Sequence, residues 1–140
     1  ERERRARAEE EEQRRKDEAI KQRLTRGHLF YKHGRNRRAE RRFVYVTPQL
    51  DTIAWRSVTS KTDSKPSKMY QVADLIRVTA GLNDGKTKSV QSNDFCLTLH
   101  LPSRTIQLEC DNQTLRDAWL EAFRWLKINH LGREISEIHD

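Results

Sequence analysis

FCLTLHLPSRTIQLECDNQTLRDAWLEAF, residues 95–123, is the stretch that sets the architecture. Phe95, Leu97, Leu99 and Leu101 alternate with Cys96, Thr98 and His100, so the apolar set lines one face of a strand. Pro102–Ser103 marks a tight turn. Beyond it Ile106, Leu108 and Cys110 repeat the two-residue period, and the two runs read as a hairpin with one buried face. After Cys110 the period changes. Asp111 or Asn112 stands where a helix cap is expected. Leu115, Ala118, Trp119, Ala122, Phe123 and Leu126 then recur at steps of three and four. This spacing predicts an amphipathic helix over about 112–130, with Gly132 just past its end.

Working back from this core, strands are expected at 28–33, 42–47, 51–57, 69–72 and 75–79, besides 94–101 and 104–110. The segment GLNDGKTKSVQSND (81–94) is polar and contains glycine, and is expected to be a long exposed loop. The first 24 residues, ERERRARAEEEEQRRKDEAIKQRL, contain no Gly or Pro and consist mostly of good helix formers. Acid precedes base by four positions at Glu10–Arg14, Glu11–Arg15, Glu12–Lys16 and Asp17–Lys21, an order that favours a helix. No heptad of apolar residues runs through it, which argues against a coiled coil. It reads as a solvated helix whose last turn docks through Ile20 and Leu24. The expected organisation is a charged helical extension (1–25), one domain (26–130) and a tail (131–140).

The net charge is +7, which points to an anionic partner such as lipid, nucleic acid or an acidic protein surface. No apolar run approaches the ~20 residues of a membrane-spanning helix. The two cysteines, Cys96 and Cys110, make neither a disulfide framework nor a zinc site, and fit a reducing compartment. The chain begins at Glu1 rather than methionine, as a fragment would. His28, His33, His100, His130 and His139 show no metal-ligand spacing. There is no nucleophile elbow, phosphate loop or HExxH motif. No enzyme activity, cofactor or metal is expected.

Seven short strands between a charged helix and a final helix centred on a tryptophan resemble a pleckstrin homology (PH) domain. GHLFYK (27–32) is similar to the first strand of that family. RRFVYV (41–46) and LDTIAW (50–55) are similar to the second and third, and KMYQVADLIRV (68–78) to the fourth and fifth. Residues 95–123 are similar to the last hairpin and the helix, with Trp119 as its characteristic tryptophan. The resemblance covers about residues 26–130. It is nearest to the PH domains of delta-type phospholipases C and to the small acylated PH-domain proteins of apicomplexan parasites. It implies a mainly β fold: a seven-stranded, bent antiparallel barrel capped by a C-terminal helix, here with an additional N-terminal helix.

One stretch asks for a functional reading. In FYKHGRNRRAERRFVYV (30–46) six cations, Lys32, Arg35, Arg37, Arg38, Arg41 and Arg42, crowd around one turn. Like charges gathered in a turn repel unless an anion is to sit among them, and Arg and Lys are the side chains that hold phosphate. In the resemblance, Lys32 and Arg42 point into the barrel mouth and Arg56 forms its opposite wall. Arg35, Arg37 and Arg38 stand at the loop tip facing a bilayer, and Arg41 adds to the field. Arg56, Lys61, Lys65 and Lys68 flank the loop after the third strand as a second basic patch. Lipid-binding relatives carry a base, any residue and an arginine before the second strand's aromatic. Here the triplet is Glu40, Arg41, Arg42, and the acid favours a less demanding anionic lipid, such as phosphatidic acid or a monophosphorylated inositide.

The expected function is peripheral membrane binding on the cytosolic face, by a monomer, with a second signal from an acyl chain if the parasite proteins are the right relatives. The alternative is a scaffold that binds protein through the N-terminal helix or the Trp125 region. Trp125 lies off the main apolar stripe, and packing against the first helix or the tail is its plain structural role. Nucleic acid is not expected, because no aromatics are interleaved with the arginines to stack on bases.

Overall fold

The structure, a computed structural model, describes residues 1–34, 38–57, 68–85 and 87–139, with side chains at the C-terminal end described as far as Gly132. Arg35 and Arg37 of the basic turn, and Lys61, Lys65 and Lys86, lie outside the described residues. Helix α1 spans Arg2–Arg26. Residues 1–16 are exposed and carry local pairs such as Glu12–Lys16 at 3.7 Å. Only the last turns reach the domain, where Leu24 is fully buried and Ile20 packs against the core. Gly27 ends the helix with φ 78°, and a Cβ there would fall 2.6 Å from the Val44 carbonyl oxygen. Glycine alone allows the chain to turn this tightly under the sheet.

The strands are β1 (His28–His33), β2 (Ala39–Val46), β3 (Thr52–Ser57), β4 (Lys68–Gln71), β5 (Arg77–Ala80), β6 (Cys96–His100) and β7 (Thr105–Glu109). They form one antiparallel sheet in the order β4-β3-β2-β1-β7-β6-β5. The end strands β4 and β5 do not pair, so the barrel is unclosed. β2 begins three residues earlier than the sequence suggests: Glu40 pairs with Lys32 and Ala39 with His33. Charged side chains do not prevent pairing here, because the ladder is made by backbone groups.

Helix α2, Gln113–His139, closes the domain. Asn112 caps it, its Oδ1 accepting from the Leu115 N–H at 2.8 Å. Trp119 meets Phe30 edge-on at 5.1 Å and lies 5.5 Å from Phe123, at the centre of a core with Leu97, Leu99, Ile106 and Leu108. Cations on α2 also cover open backbone: Arg124 Nε donates to the Val78 carbonyl at 3.1 Å and Lys127 Nζ to that of Leu75 at 2.7 Å. The first bond covers part of the free edge of β5, and the second covers the turn that leads into it. The helix continues through Gly132 to His139, where the sequence suggests a tail. A single glycine costs a helix only about 1 kcal/mol and does not by itself stop it.

The β6–β7 hairpin is buried on both faces. The polar row that sequence alternation assigns to solvent faces the 81–94 segment, which folds over it. Thr98 Oγ1 donates to the Gly81 carbonyl at 2.8 Å. Gln107 Oε1 accepts from the Asn83 N–H at 2.9 Å. Glu109 accepts from the N–H groups of Val90 and Gln91 at 2.7 and 2.6 Å. The segment is therefore tied down, because polar side chains on the covered face supply the partners that its buried backbone needs.

Candidate functional site

The strand period distributes the basic residues between two faces. Lys32 shares a face with buried Phe30, and Glu40 and Arg42 share one with buried Val44 and Val46. These are the inner positions, at the end of the sheet next to the 34–38 turn. On β3 the inner position belongs to Trp55, and Lys32 Nζ stands 4.8 Å from the centroid of its ring. Trp55 lies 5.0 Å from Tyr70 of β4, and Arg104, just before β7, donates from Nη1 to the Tyr70 hydroxyl at 2.9 Å. Lys68 pairs with Trp55 in the β3–β4 register. Lys32, Arg42, Lys68 and Arg104 thus converge on one concave mouth backed by two aromatic rings.

Lys32 registers that convergence. Its pKa is lowered, first by burial and then by the charges of Arg104, Arg42 and Lys68, with Glu40 acting in the opposite sense. Arg42 donates from Nη1 to the Arg41 carbonyl at 2.9 Å, and its Nη2 pairs with Glu40 Oε2. An array of this kind can receive an anion: a compact ammonium, planar guanidinium forks and a partly dry floor that strengthens both.

Arg41 and Arg56 lie on the other face. Arg41 stacks over Tyr31 at 4.1 Å and reaches Asp111 Oδ1 at 3.4 Å. Arg56 stacks over Phe43 at 4.9 Å. Because Trp55 takes the inner position, its neighbour Arg56 must point outward, and the wall opposite Lys32 is built from Trp55, Lys68 and Arg104 instead. Arg38 is exposed at the end of the turn, immediately before β2. Arg104 was the residue hardest to foresee. Its only sequence signal is its place after the Pro102–Ser103 turn, beside an inner-facing row.

A second polar cluster lies beneath the 81–94 segment. His33 Nε2 and Glu109 Oε1 are 2.9 Å apart, with both side chains shielded from solvent. Cys96 Sγ completes a group whose ligating atoms lie within 4.8 Å of one another. Such a trio has donors that could hold a metal, but its bonds already have a structural use. Glu109 anchors two backbone N–H groups and His33, and Cys96 donates to the Ser92 carbonyl at 3.3 Å. The thiol is pushed far up, first by burial and then by the Glu109 charge, so it stays protonated. The cluster acts as a clasp for the covering segment.

The remaining residues singled out from the sequence have structural contacts. Trp125 donates from Nε1 to Asp17 Oδ1 at 3.0 Å, joining α2 to α1. Cys110 is a buried free thiol, pushed up to about 12 by burial and the nearby Asp111 charge. Among the described residues no helix is long and apolar enough to cross a membrane.

Residues 16–129 match the model of a family described as meiotic cell cortex C-terminal pleckstrin homology. Among solved structures, Inner Membrane Complex Sub-compartment Protein 1 from Toxoplasma gondii is similar over 80% of this chain and 90% of that one, with 16% identity and a TM-score of 0.63. The PH domain from TgAPH is similar over 81% and 89%, with 17% identity and a TM-score of 0.59. PLC21 of L. pealei is similar over 78% of this chain and 16% of its own, with 18% identity and a TM-score of 0.60. At these identities the likeness is one of fold. No curated protein matches the sequence.

Proposed function

We propose that this chain, which belongs to the meiotic cell cortex C-terminal pleckstrin homology family, is a peripheral membrane module that holds anionic phospholipid headgroups in its inner mouth. The observation that carries this reading is the convergence of Lys32, Arg42, Lys68 and Arg104 around the Trp55–Tyr70 floor. Lys32 and Arg42 hold the phosphate, while Lys68 and Arg104 supply the opposite wall. Arg35, Arg37, Arg38, Arg41 and Arg56 add attraction to the negative surface. Each cation near an anionic bilayer contributes about 1 kcal/mol, so four to six give useful binding that weakens with salt. A patch of this strength works with a second membrane signal elsewhere in a protein.

The headgroup we favour is phosphatidic acid or a monophosphorylated inositide. The site of action is the cytosolic face of a membrane, a reading that the family's description by the cell cortex supports. No catalysis is proposed, because among the described residues the mouth presents cations, aromatic rings and the Glu40 carboxylate already paired with Arg42.

The test is a titration with a soluble short-chain phosphatidic acid, followed by the backbone amide signals. Shifts centred on Lys32, Arg42, Lys68 and Arg104 are expected. Shifts confined to Arg41, Phe43 and Arg56 would move the site to the outer face and overturn the assignment. A second reading, a protein scaffold, is favoured by Ile128 and Leu131, two large apolar side chains exposed on α2. It predicts that no anionic lipid shifts the mouth.

A further inference from the structure

Glu40 stands among the cations of the mouth. In the β1–β2 register it lies directly opposite Lys32. It precedes Arg42 by two positions on the same strand face, and its carboxylate pairs with the Arg42 guanidinium. Its side chain is 53% exposed, so it is not a buried structural acid. A negative charge therefore lies against Arg42 and on the strand position facing Lys32, the two groups that would hold a phosphate.

We propose that Glu40 is a built-in counter-ion, held on Arg42 opposite Lys32 and setting the mouth's preference toward headgroups of low charge. This rests on the reading of the mouth as a headgroup site. An incoming phosphate must either displace the carboxylate from Arg42 or sit beside it. Displacement costs the Arg42–Glu40 pair, whatever the ligand. Sitting beside it costs a repulsion that grows with ligand charge, about twice as large for a dianion as for a monoanion. Glu40 therefore weakens every anion but penalises polyphosphorylated headgroups most. Rejection through a like charge is a common route to specificity. Without Glu40, Arg42 Nη2 would be free to donate to the ligand, while Nη1 keeps its bond to the Arg41 carbonyl.

The experiment is flotation with phosphatidylcholine vesicles carrying phosphatidylserine, phosphatidic acid or phosphatidylinositol bisphosphate. The wild type is compared with Glu40→Gln and with Glu121→Gln, an equal charge change on the exposed face of α2. Glu40→Gln is expected to bind phosphatidylserine vesicles about three- to fivefold more tightly, as a partly exposed charge pair allows. A larger factor is expected on the bisphosphate, and Glu121→Gln should show little gain on either. An equal gain in both variants would reduce Glu40 to general field and overturn the proposal. So would a uniform gain across the lipids, or no gain while the wild type binds. Binding by Glu40→Gln alone would support it. Binding by neither chain would overturn the lipid reading itself, and this inference with it.

Discussion

Lys32 and Trp55 meet across the inner mouth, the ammonium 4.8 Å from the centre of the indole ring. The ring holds a cation that burial and three neighbouring positive charges disfavour. This contact fixes the Lys32 stem between β1 and β3 and leaves its charge at the opening.

The lowered Lys32 pKa gives headgroup binding an alkaline limit. A bound phosphate favours the charged lysine, so affinity is full below the lowered pKa and falls as pH rises through it, before an ordinary lysine near 10.5 would lose its proton. Lys32→Arg should move that loss to higher pH, and Lys32→Met should weaken binding about fivefold or more at neutral pH. Vesicle binding across a pH series reads both.

Glu109 gives the fold a sensitivity to acid. Burial raises its pKa, but donors from Gln91, Val90, His33 and Cys96 outweigh burial and hold the carboxyl below its ordinary 4.5. The unfolded chain thus takes up this proton first as pH falls. The stabilisation is complete above about pH 4.5 and is lost as pH falls below it, through the folded value. Glu109→Ala leaves His33 and two backbone N–H groups unpaired and should cost about 3 kcal/mol. Denaturant unfolding measures this, and hydrogen exchange at Val90 and Gln91 should rise with it.

His28 and His100 add a pH dependence at higher pH. Burial lowers both; for His28, Asp111 opposes it while Arg41 and Arg23 reinforce it, and for His100 Arg77 reinforces it. The unfolded chain takes up these protons first, so stability declines as pH falls below about 6.5 and levels off beneath each folded value. His28→Gln and His100→Gln should flatten the melting temperature between pH 5 and 7, each by its own share.

The N-terminal helix divides at Asp17. Removing residues 1–16, which are exposed, should leave the melting temperature nearly unchanged. Leu24→Ala should cost about 3 kcal/mol, because Leu24 is fully buried. Asp17→Ala, which removes the acceptor of Trp125, should cost about 1 kcal/mol. A large loss from the truncation alone would mean that the exposed turns are held by contacts beyond those described.

Much of this fold is legible in the sequence because its signals are local. The alternation over 95–110, the cap at Asn112 and the helical recurrence through Trp119 each act within a few residues, and they sufficed for the pleckstrin homology resemblance that the family match bears out. The covering of the β6–β7 outer face was not legible. Period-two logic tells which side chains share a face, but not that Thr98, Gln107 and Glu109 will bond a returning segment. The candidate site divides in the same way. Lys32 and Arg42 sit next to the turn that advertises them, and the inner position of Trp55 already implied that Arg56 points outward. Arg104 reaches the mouth only through the β1–β7 pairing, a contact between distant parts of the chain.

The most direct test of the account compares two charge reversals of equal size. Lys32→Glu/Arg42→Glu changes the inner mouth, and Arg41→Glu/Arg56→Glu changes the outer face. Both are floated with phosphatidic acid vesicles at physiological salt. The inner pair is expected to abolish binding, while the outer pair weakens it through the lost field attraction but leaves binding measurable. Equal loss in both, or loss only in the outer pair, would contradict a headgroup site in the mouth.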